Sequence, residues 1–596
     1  MMSMIPDFPV PAGTGRASPR PLQDLAIPGL VAIYLIFILP VYVDNNAGQG
    51  LMMPQNLLAW GVMVLCVLAA LLKLAHTGQA ALGGFMLYAA VGGMLLVLPW
   101  LWTTLSFWRL HALPRVAGIA GALLFALSLC QTRMSPAVRR GLLAVVVVSA
   151  LVQSGDAMMQ AWLPGLGMRF IDFNSPSPYG IFQQRNALAN WLATGSGVAL
   201  YLALTARNRA RTLGWVITLY PLCAALTLLQ IRTSVLGLLL SGMLVAMADL
   251  PRVHRRPLAA LRRVMLLISL LAWCTSISLW AMPSGRPADL EHAASTYQRA
   301  LIIQGTLAMI KQHPLAGSGL GSFEARFPYG MADAGLESTE SDTFTHPYNE
   351  ILFVMAEGGV PALAGLLLLS GVWLWPVLYR LCHPLSNTLC PDTGRWLRGR
   401  ESLSAGNWLL PLTGLPILVH MMIEYPLYLS APHLMLLLLL FRIGLPETAL
   451  RRYRISGRVR AILLLAGSLA SCVALGVLWA GLGTQSALTR AEMEMNAGLL
   501  PSLPDASWRT LTQAERLDYD RHMLMASTPG FLQRPRDLVA FTLWGKRWLV
   551  VHNNAEVSAA MMLIAQRRGD HASAERLREE AARVFVHDSR FLRGKG

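Results

Sequence analysis

The chain has 596 residues, 54% of them hydrophobic and only 14% charged, against about 25% charged in a soluble domain. Apolar runs near the ~20 residues that cross a bilayer recur along it, which excludes a soluble protein; they do not alternate with polar residues, which excludes a transmembrane β-barrel. The net charge of +17 does not mark a nucleic-acid binder, because Lys and Arg cluster between the apolar runs in the positive-inside pattern, with a secondary attraction to anionic headgroups.

Residues 1–24 are polar and Pro-rich, without the apolar core and small-residue cleavage site of a signal peptide, and read as a cytoplasmic N-terminal segment. From there the pattern predicts an all-α polytopic membrane protein of about 12–13 transmembrane helices. The expected spans are 25–43, 56–75, 81–101, 116–130, 141–154, 187–204, 213–230, 234–249, 264–282, 351–379, 407–423, 426–443 and 461–483. The fourth and fifth are short, and the tenth is long enough to tilt or to begin as a re-entrant segment. Together they make a transmembrane catalytic domain over 25–483, interrupted by a long outer loop at 283–348. Arg133, Arg139 and Arg140, Arg207, Arg209 and Arg211, and the run from Arg442 to Arg460 mark the cytoplasmic side. Loops 155–186, 231–233 and 283–348 then all face outward. Residues 484–596 follow as a soluble outer domain, in which 555–586 reads as a helical hairpin of tetratricopeptide type broken at Gly569-Asp570.

Five polar constellations fall on the outer side. Gln183, Gln184, Arg185 and Asn186 precede the sixth span, with Asn190 one turn in. Arg with amides suits a phosphate or a sugar, although an Arg at a membrane surface often only snorkels. Arg232 sits in a short turn; a guanidinium there suits bidentate grip on phosphate or plain interfacial anchoring. Arg299 lies in an amphipathic helix of the long loop. That helix ends at His313-Pro314-Leu315-Ala316-Gly317-Ser318-Gly319-Leu320-Gly321, whose glycines lack the strand and Lys-Ser/Thr of a nucleotide cradle and read as a tight turn. His346, with Asn349 and Glu350 after it, is suited to accept a proton from a hydroxyl near neutral pH. Glu337, Glu340 and Asp342 precede it without metal-ligand spacing, so no metal is expected. Glu424 and Tyr425 occupy a tight outer hairpin. The seven cysteines form no CxxC pair, so neither zinc nor a redox role is suggested by them.

Gln184-Arg185-Asn186-x3-Asn190, Arg232, Arg299, His313-Pro314-Leu315-x-Gly317-x-Gly319-x-Gly321-x-Phe323 and His346-x2-Asn349, in that order over about 155–440, resemble the O-antigen ligase superfamily. The added C-terminal segment is most similar to that of the PglL-type protein O-oligosaccharyltransferases. The resemblance implies a multi-pass bacterial inner-membrane enzyme with its site facing the periplasm. Such an enzyme moves a preassembled glycan en bloc from undecaprenyl pyrophosphate to Ser/Thr hydroxyls of periplasmic proteins such as pilin, without metal or other cofactor. It implies His346 as the catalytic residue, and Arg185, Arg232 and Arg299 on the donor pyrophosphate. Gln184, Asn186, Asn190, Asn349, Glu424 and Tyr425 would support the site or the acceptor. A lipid A-core O-antigen ligase and an O-antigen polymerase share this chemistry. A transporter of lipid-linked glycans is the rival from another class, but the spans carry few charges at mid-depth and no internal repeat is evident.

Overall fold

A computed structural model describes residues 24–46, 49–163, 178–206, 208–248, 288–336, 343–382 and 407–592. The chain is mostly helical. In order, the helices are α1 (Ala26–Ile33, continued to Ile38 as a π-helix), α2 (Pro54–Thr77), α3 (Phe85–Val97), α4 (Ser106–Cys130) and α5 (Pro136–Trp162). Next come α6 (Arg185–Thr205), α7 (Arg209–Leu229), α8 (Arg232–Ala248), α9 (Ala288–Gln312), α10 (Phe323–Asp333) and α11 (Glu350–Trp373). The membrane part closes with α12 (Trp375–Cys382), α13 (Leu415–His420), α14 (Pro426–Leu429), α15 (Ala431–Gly444) and α16 (Gly457–Asn496). The C-terminal region holds α17 (Ala514–Ser527), α18 (Pro535–Trp548), α19 (Ala555–Arg567) and α20 (His571–Val584). Among the described residues seven helices are long and apolar enough to cross a membrane: α2, α4, α5, α6, α7, α11 and α16. Shorter apolar helices occupy 26–38, 85–101, 232–244 and 431–444; the span expected at 264–282 lies outside the described residues.

The structure redraws several expected boundaries. The fourth and fifth spans are not short: α4 has 25 residues and α5 has 27. Helix α4 begins at Ser106 and continues through Pro114, because a proline costs a helix one hydrogen bond rather than its course when neighbours hold it. Helix α5 runs past Gln153 and Asp156, so the polar segment from 155 begins inside a helix. The tenth span bends at Gly359, whose φ of 61° and ψ of −155° interrupt α11. Helix α16 is continuous over 40 residues, so no break falls at the expected domain boundary near 484. The all-α expectation also needs an amendment: β1 (Gln79–Leu82) pairs antiparallel with β2 (Arg451–Arg454), Gln79 opposite Arg454.

Helix α6 sits at the centre and is buried over most of its length, with Trp191 and Leu192 at 1% and 0% exposure. Its run of small residues makes this possible. A side chain at Gly195 would collide with Ala150 of α5, and one at Gly197 would meet Ser241 of α8 at 3.3 Å. Small residues at helix crossings let backbones approach where lipid supplies no hydrophobic drive. Gly92 and Gly365 do the same between α3 and α11.

The bundle has two chemically different ends. At one, Arg442 is fully buried and donates to the carbonyls of Leu129 (3.2 Å) and Thr132 (2.6 Å) and to Glu447 (2.8 Å). Arg139 reaches the same carboxylate at 3.3 Å. Burial opposes the charge on Glu447, but these two guanidiniums win and hold its pKa below the usual value. Two arginines of the basic clusters are thus structural. At the other end the C-terminal region docks. Gln485 of α16 donates to the Asp44 carbonyl at 2.8 Å, and Trp108 of α4 donates to the Val550 carbonyl at 2.8 Å. Helices α19 and α20 form a hairpin around Gly569, at φ 73°, and pack through Val557, Met561 and Ile564 onto Phe541 and Trp544 of α18.

Candidate functional site

The docking end is also where the chain takes its least favourable backbone conformations. Among the described residues three non-glycine residues have positive φ: Gln183 (55°), Gln230 (53°) and Tyr348 (55°). Each lies two residues before the first residue of a helix, namely Arg185 of α6, Arg232 of α8 and Glu350 of α11. A bulky side chain at positive φ is costly and persists only where its surroundings over-determine it. The sharp turns bring three helix N-termini, each with the positive end of its dipole, into one neighbourhood.

Side-chain contacts join the segments. Asn190 of α6 accepts a hydrogen bond from Ser234 of α8 at 3.0 Å, and Thr233 lies 3.0 Å from His420 Nδ1 at the end of α13. Asn186 and Arg299 both donate to Oε1 of Glu424, at 3.1 Å and 3.0 Å. Arg299 lies over the Tyr348 ring at 6.0 Å, and Tyr348 packs on Tyr425 at 5.7 Å between centroids. Tyr425 in turn packs on His346 at 4.6 Å. Residues from α6, α9, the 343–349 segment and the 421–425 hairpin therefore share one cluster. Asn349 caps α11 by accepting from the Leu352 N–H at 3.1 Å, and donates its amide to the Met422 carbonyl at 3.1 Å. The Glu350 N–H donates to the Met421 carbonyl at 3.0 Å, so the histidine-bearing turn is pinned to the hairpin from both sides.

Arg185 and Arg232 stand apart from this bonded cluster. Arg185 is half-buried, Arg232 is exposed, and neither makes a hydrogen bond or ion pair with another described residue. Gln184 serves as the residue before α6 without a side-chain cap, while Gln183 donates to the Val43 carbonyl at 3.3 Å. Glu337, Glu340 and Asp342 lie outside the described residues.

His346 is 4% exposed, and both of its ring nitrogens face protein atoms. Nδ1 accepts from the Tyr348 N–H at 3.0 Å, so the neutral ring carries its proton on Nε2. Nε2 faces Oε2 of Glu350 at 3.4 Å, and Glu350 Oε1 accepts from the Tyr428 hydroxyl at 2.9 Å. The ring lies against Phe353 at 4.2 Å. Burial lowers the His346 pKa from its ordinary value, against the opposing pull of Glu350. Burial raises Glu424 above its ordinary value, with Arg299 and Asn186 pulling the other way, and raises Tyr425.

A second cluster went unread in the sequence. Arg115 of α4 pairs with Glu357 of α11, and its guanidinium lies 4.5 Å from the Phe353 centroid. The other Glu357 oxygen accepts the N–H groups of Gly321 and Phe323, each at 3.0 Å. The glycine loop at 317–321 thus does cradle an anion through its backbone, with Gly317, Gly319 and Gly321 all at positive φ, but the anion is the chain's own carboxylate. A side chain at Gly317 would collide with the Glu357 backbone. The sequence shows that each charge needs a partner, because a charge inside an apolar helix is expensive, but not which residue supplies it.

Residues 217–367 match the O-Antigen ligase family. The match begins within α7 and takes in Arg232, Arg299, the glycine loop, His346 and Asn349, together with Glu350 and Glu357. The family's substrates are lipid-linked glycans, and its members are ligases of glycosyltransferase type. No curated protein matches the chain.

Proposed function

We propose that this protein is a PglL-type O-oligosaccharyltransferase that moves a glycan from undecaprenyl pyrophosphate to a protein Ser/Thr hydroxyl at the periplasmic face of the inner membrane. The observation that carries the reading is the convergence of Asn186, Arg299, Glu424, Tyr425 and His346, from four distant segments, at the end of the bundle where three helices begin. Pyrophosphate is a good leaving group once its charge is stabilised, so such a site needs cations and N–H donors more than an acid. Arg299, Arg185 and Arg232 would supply the cations, and the N-termini of α6 and α8 the donors.

The acceptor hydroxyl needs a base, and the His346–Glu350 pair fits that role in the manner of an imidazole oriented by a carboxylate. Glu350 faces Nε2–H and would stabilise the imidazolium. The lone pair that accepts the proton is on Nδ1, now covered by the Tyr348 N–H. Base action therefore requires the strained Tyr348 turn to let go, with the acceptor hydroxyl taking its place. One in-line displacement then inverts the anomeric carbon, which NMR of the product checks.

A protein acceptor is favoured over lipid A-core by the C-terminal region docked at the same end. A cavity of about 430 Å³ lies between α10 and α20, lined by Phe327, Met331, Phe344, Asn553 and Arg583, and Phe344 is two residues from His346. The direct test incubates purified protein with lipid-linked glycan and either a pilin-type protein or lipid A-core. Glycosylated protein is the expected product; glycan on lipid A-core alone would reassign the enzyme as an O-antigen ligase, and chain elongation as a polymerase.

A further inference from the structure

Where the C-terminal region meets the bundle, three side chains present a metal-binding donor set. His111 of α4, Glu515 of α17 and His552, just beyond α18, each offer one ligand atom, and these atoms lie within 4.8 Å of one another. His111 Nδ1 is 3.0 Å from Glu515 Oε1, and His552 Nε2 contacts the same oxygen. Two imidazoles and one carboxylate are a donor set that zinc takes. With bonds of about 2.0–2.2 Å to nitrogen and oxygen, tetrahedral ligand atoms sit about 3.3 Å apart, so small outward rotations suffice.

The surroundings supply an independent argument. A metal-bound histidine usually donates its other ring N–H to a carboxylate, which fixes the ring and the tautomer. His552 Nδ1 lies 3.0 Å from Oε2 of Glu324 on α10, which leaves Nε2 to face His111 and Glu515. Glu324 is itself fixed: its Oε1 accepts the Asn553 N–H at 2.8 Å, and the residue is 7% exposed. The Trp548 ring covers the His552 ring at 4.3 Å. The orienting carboxylate therefore comes from a different element than the ligand, and it is held at both oxygens by the His552-Asn553 segment. A surface cluster of charges lacks that order.

We propose that His111, Glu515 and His552 bind one divalent metal of the zinc class, oriented through Glu324. The ion staples the C-terminal region to α4. The site is structural and shares no residue with the His346–Arg299 cluster. Its ligands are contributed from both sides of the docking contact, so metal binding and docking are coupled.

The full-length protein, purified in detergent, is treated with EDTA, dialysed and titrated with ZnCl2. Bound metal is measured by mass spectrometry, the melting temperature by a fluorescence scan, and C-terminal accessibility by limited proteolysis. Expected are about one retained zinc per chain, a higher melting temperature and slower cleavage between α16 and α17. His552→Ala and Glu515→Gln should each abolish stoichiometric binding, and Glu324→Gln should weaken it by about 10–100-fold. Should His552→Ala fail to fold, His111→Asn, at the bundle's edge, removes one ligand. Co²⁺ in place of Zn²⁺ gives a visible tetrahedral spectrum that misfolding does not mimic. No zinc above background in wild type, or equal retention in wild type and His111→Asn, overturns the proposal and leaves the cluster a hydrogen-bonded ion pair. Transfer activity is not a readout here, so failure of the metal site does not touch the glycosyltransfer reading.

Discussion

Glu350→Gln is the sharpest test of the proposed base. Glu350 Oε2 lies 3.4 Å from His346 Nε2, and both residues are nearly inaccessible, at 6% and 4% exposure. An ion pair near 4 Å at an effective dielectric of about 20 has a Coulomb energy of roughly 4 kcal/mol. That energy exists only once His346 has become an imidazolium, so its loss falls on the transition state, not on donor binding. Each ~1.4 kcal/mol is a tenfold change in rate. The Tyr348 N–H keeps the tautomer and a glutamine carbonyl can still face Nε2–H, which returns part of the loss, so kcat should drop about 10²–10³-fold with donor KM within about twofold. The assay is transfer of a fluorescently tagged lipid-linked glycan to acceptor, with folding checked by gel filtration. Glu350 also raises the His346 pKa against burial. The acid limb of the wild-type pH–rate profile should lie below the ordinary histidine value and move further down in Glu350→Gln. A variant keeping a third or more of wild-type kcat would refute the oriented-imidazole argument. So would an unchanged His346→Ala enzyme.

The remaining predictions address the donor cations, the buried pair and pH. Arg299→Lys keeps the charge but loses the guanidinium fork held by Glu424, and the loss of one charge-assisted bond predicts a donor KM raised about tenfold or more with kcat less affected; an unchanged donor KM in both Arg299→Lys and Arg185→Lys argues against pyrophosphate gripping. Glu357→Gln takes the ion-pair partner from the largely buried Arg115 guanidinium and should destabilise by about 3 kcal/mol, whereas Arg115→Met with Glu357→Gln should recover part of that loss; additive effects on denaturation midpoints would show that the two charges do not depend on each other. His346 has its folded pKa below the unfolded value, so protons bind the unfolded chain first. Its stability cost is therefore absent above about pH 6.5 and grows as pH falls below it, until the folded value is reached. His346→Gln should flatten that acid loss in thermal scans, and an unaltered pH dependence contradicts the assignment.

The membrane character was legible because a bilayer demands long apolar runs, and that demand is written in composition. The polar groups at one end were legible because their spacing repeats a recognised order. Helix ends were less so: α4 continues through Pro114, and α5 continues past Asp156 and buries Gln153 because its neighbours, not lipid, surround that side chain. Long-range pairing was illegible. Nothing local says that Arg115 will meet Glu357, 242 residues on, or that Glu424 will hold both Asn186 and Arg299. The tautomer of His346 was equally hidden, since it depends on one backbone N–H two residues away. The glycine loop was read correctly as a tight turn, but its carboxylate guest could only come from the fold.

The three strained turns give a reason for these residue choices. At Gln183, Gln230 and Tyr348 a glycine would relieve the backbone, yet the chain keeps a side chain at each. Gln183 uses its amide to tie the entry of α6 to Val43, in the segment that Gln485 of α16 also contacts through Asp44. Tyr348 uses its ring to bridge Arg299 and Tyr425, while its N–H covers the histidine lone pair. At Gln183 and Tyr348 the strain is the cost of placing a helix start and a side-chain contact on one short turn. A turn held under strain is also closer in energy to its open form than a relaxed one, which is what a removable cover over Nδ1 requires. Tyr348→Gly removes strain and ring together, and Tyr348→Asn removes the ring while tolerating the same φ. If the cover is the rate-limiting obstacle, Gly should slow transfer more than Asn does, because it stabilises the closed turn more; equal losses in the two would assign the effect to the missing ring.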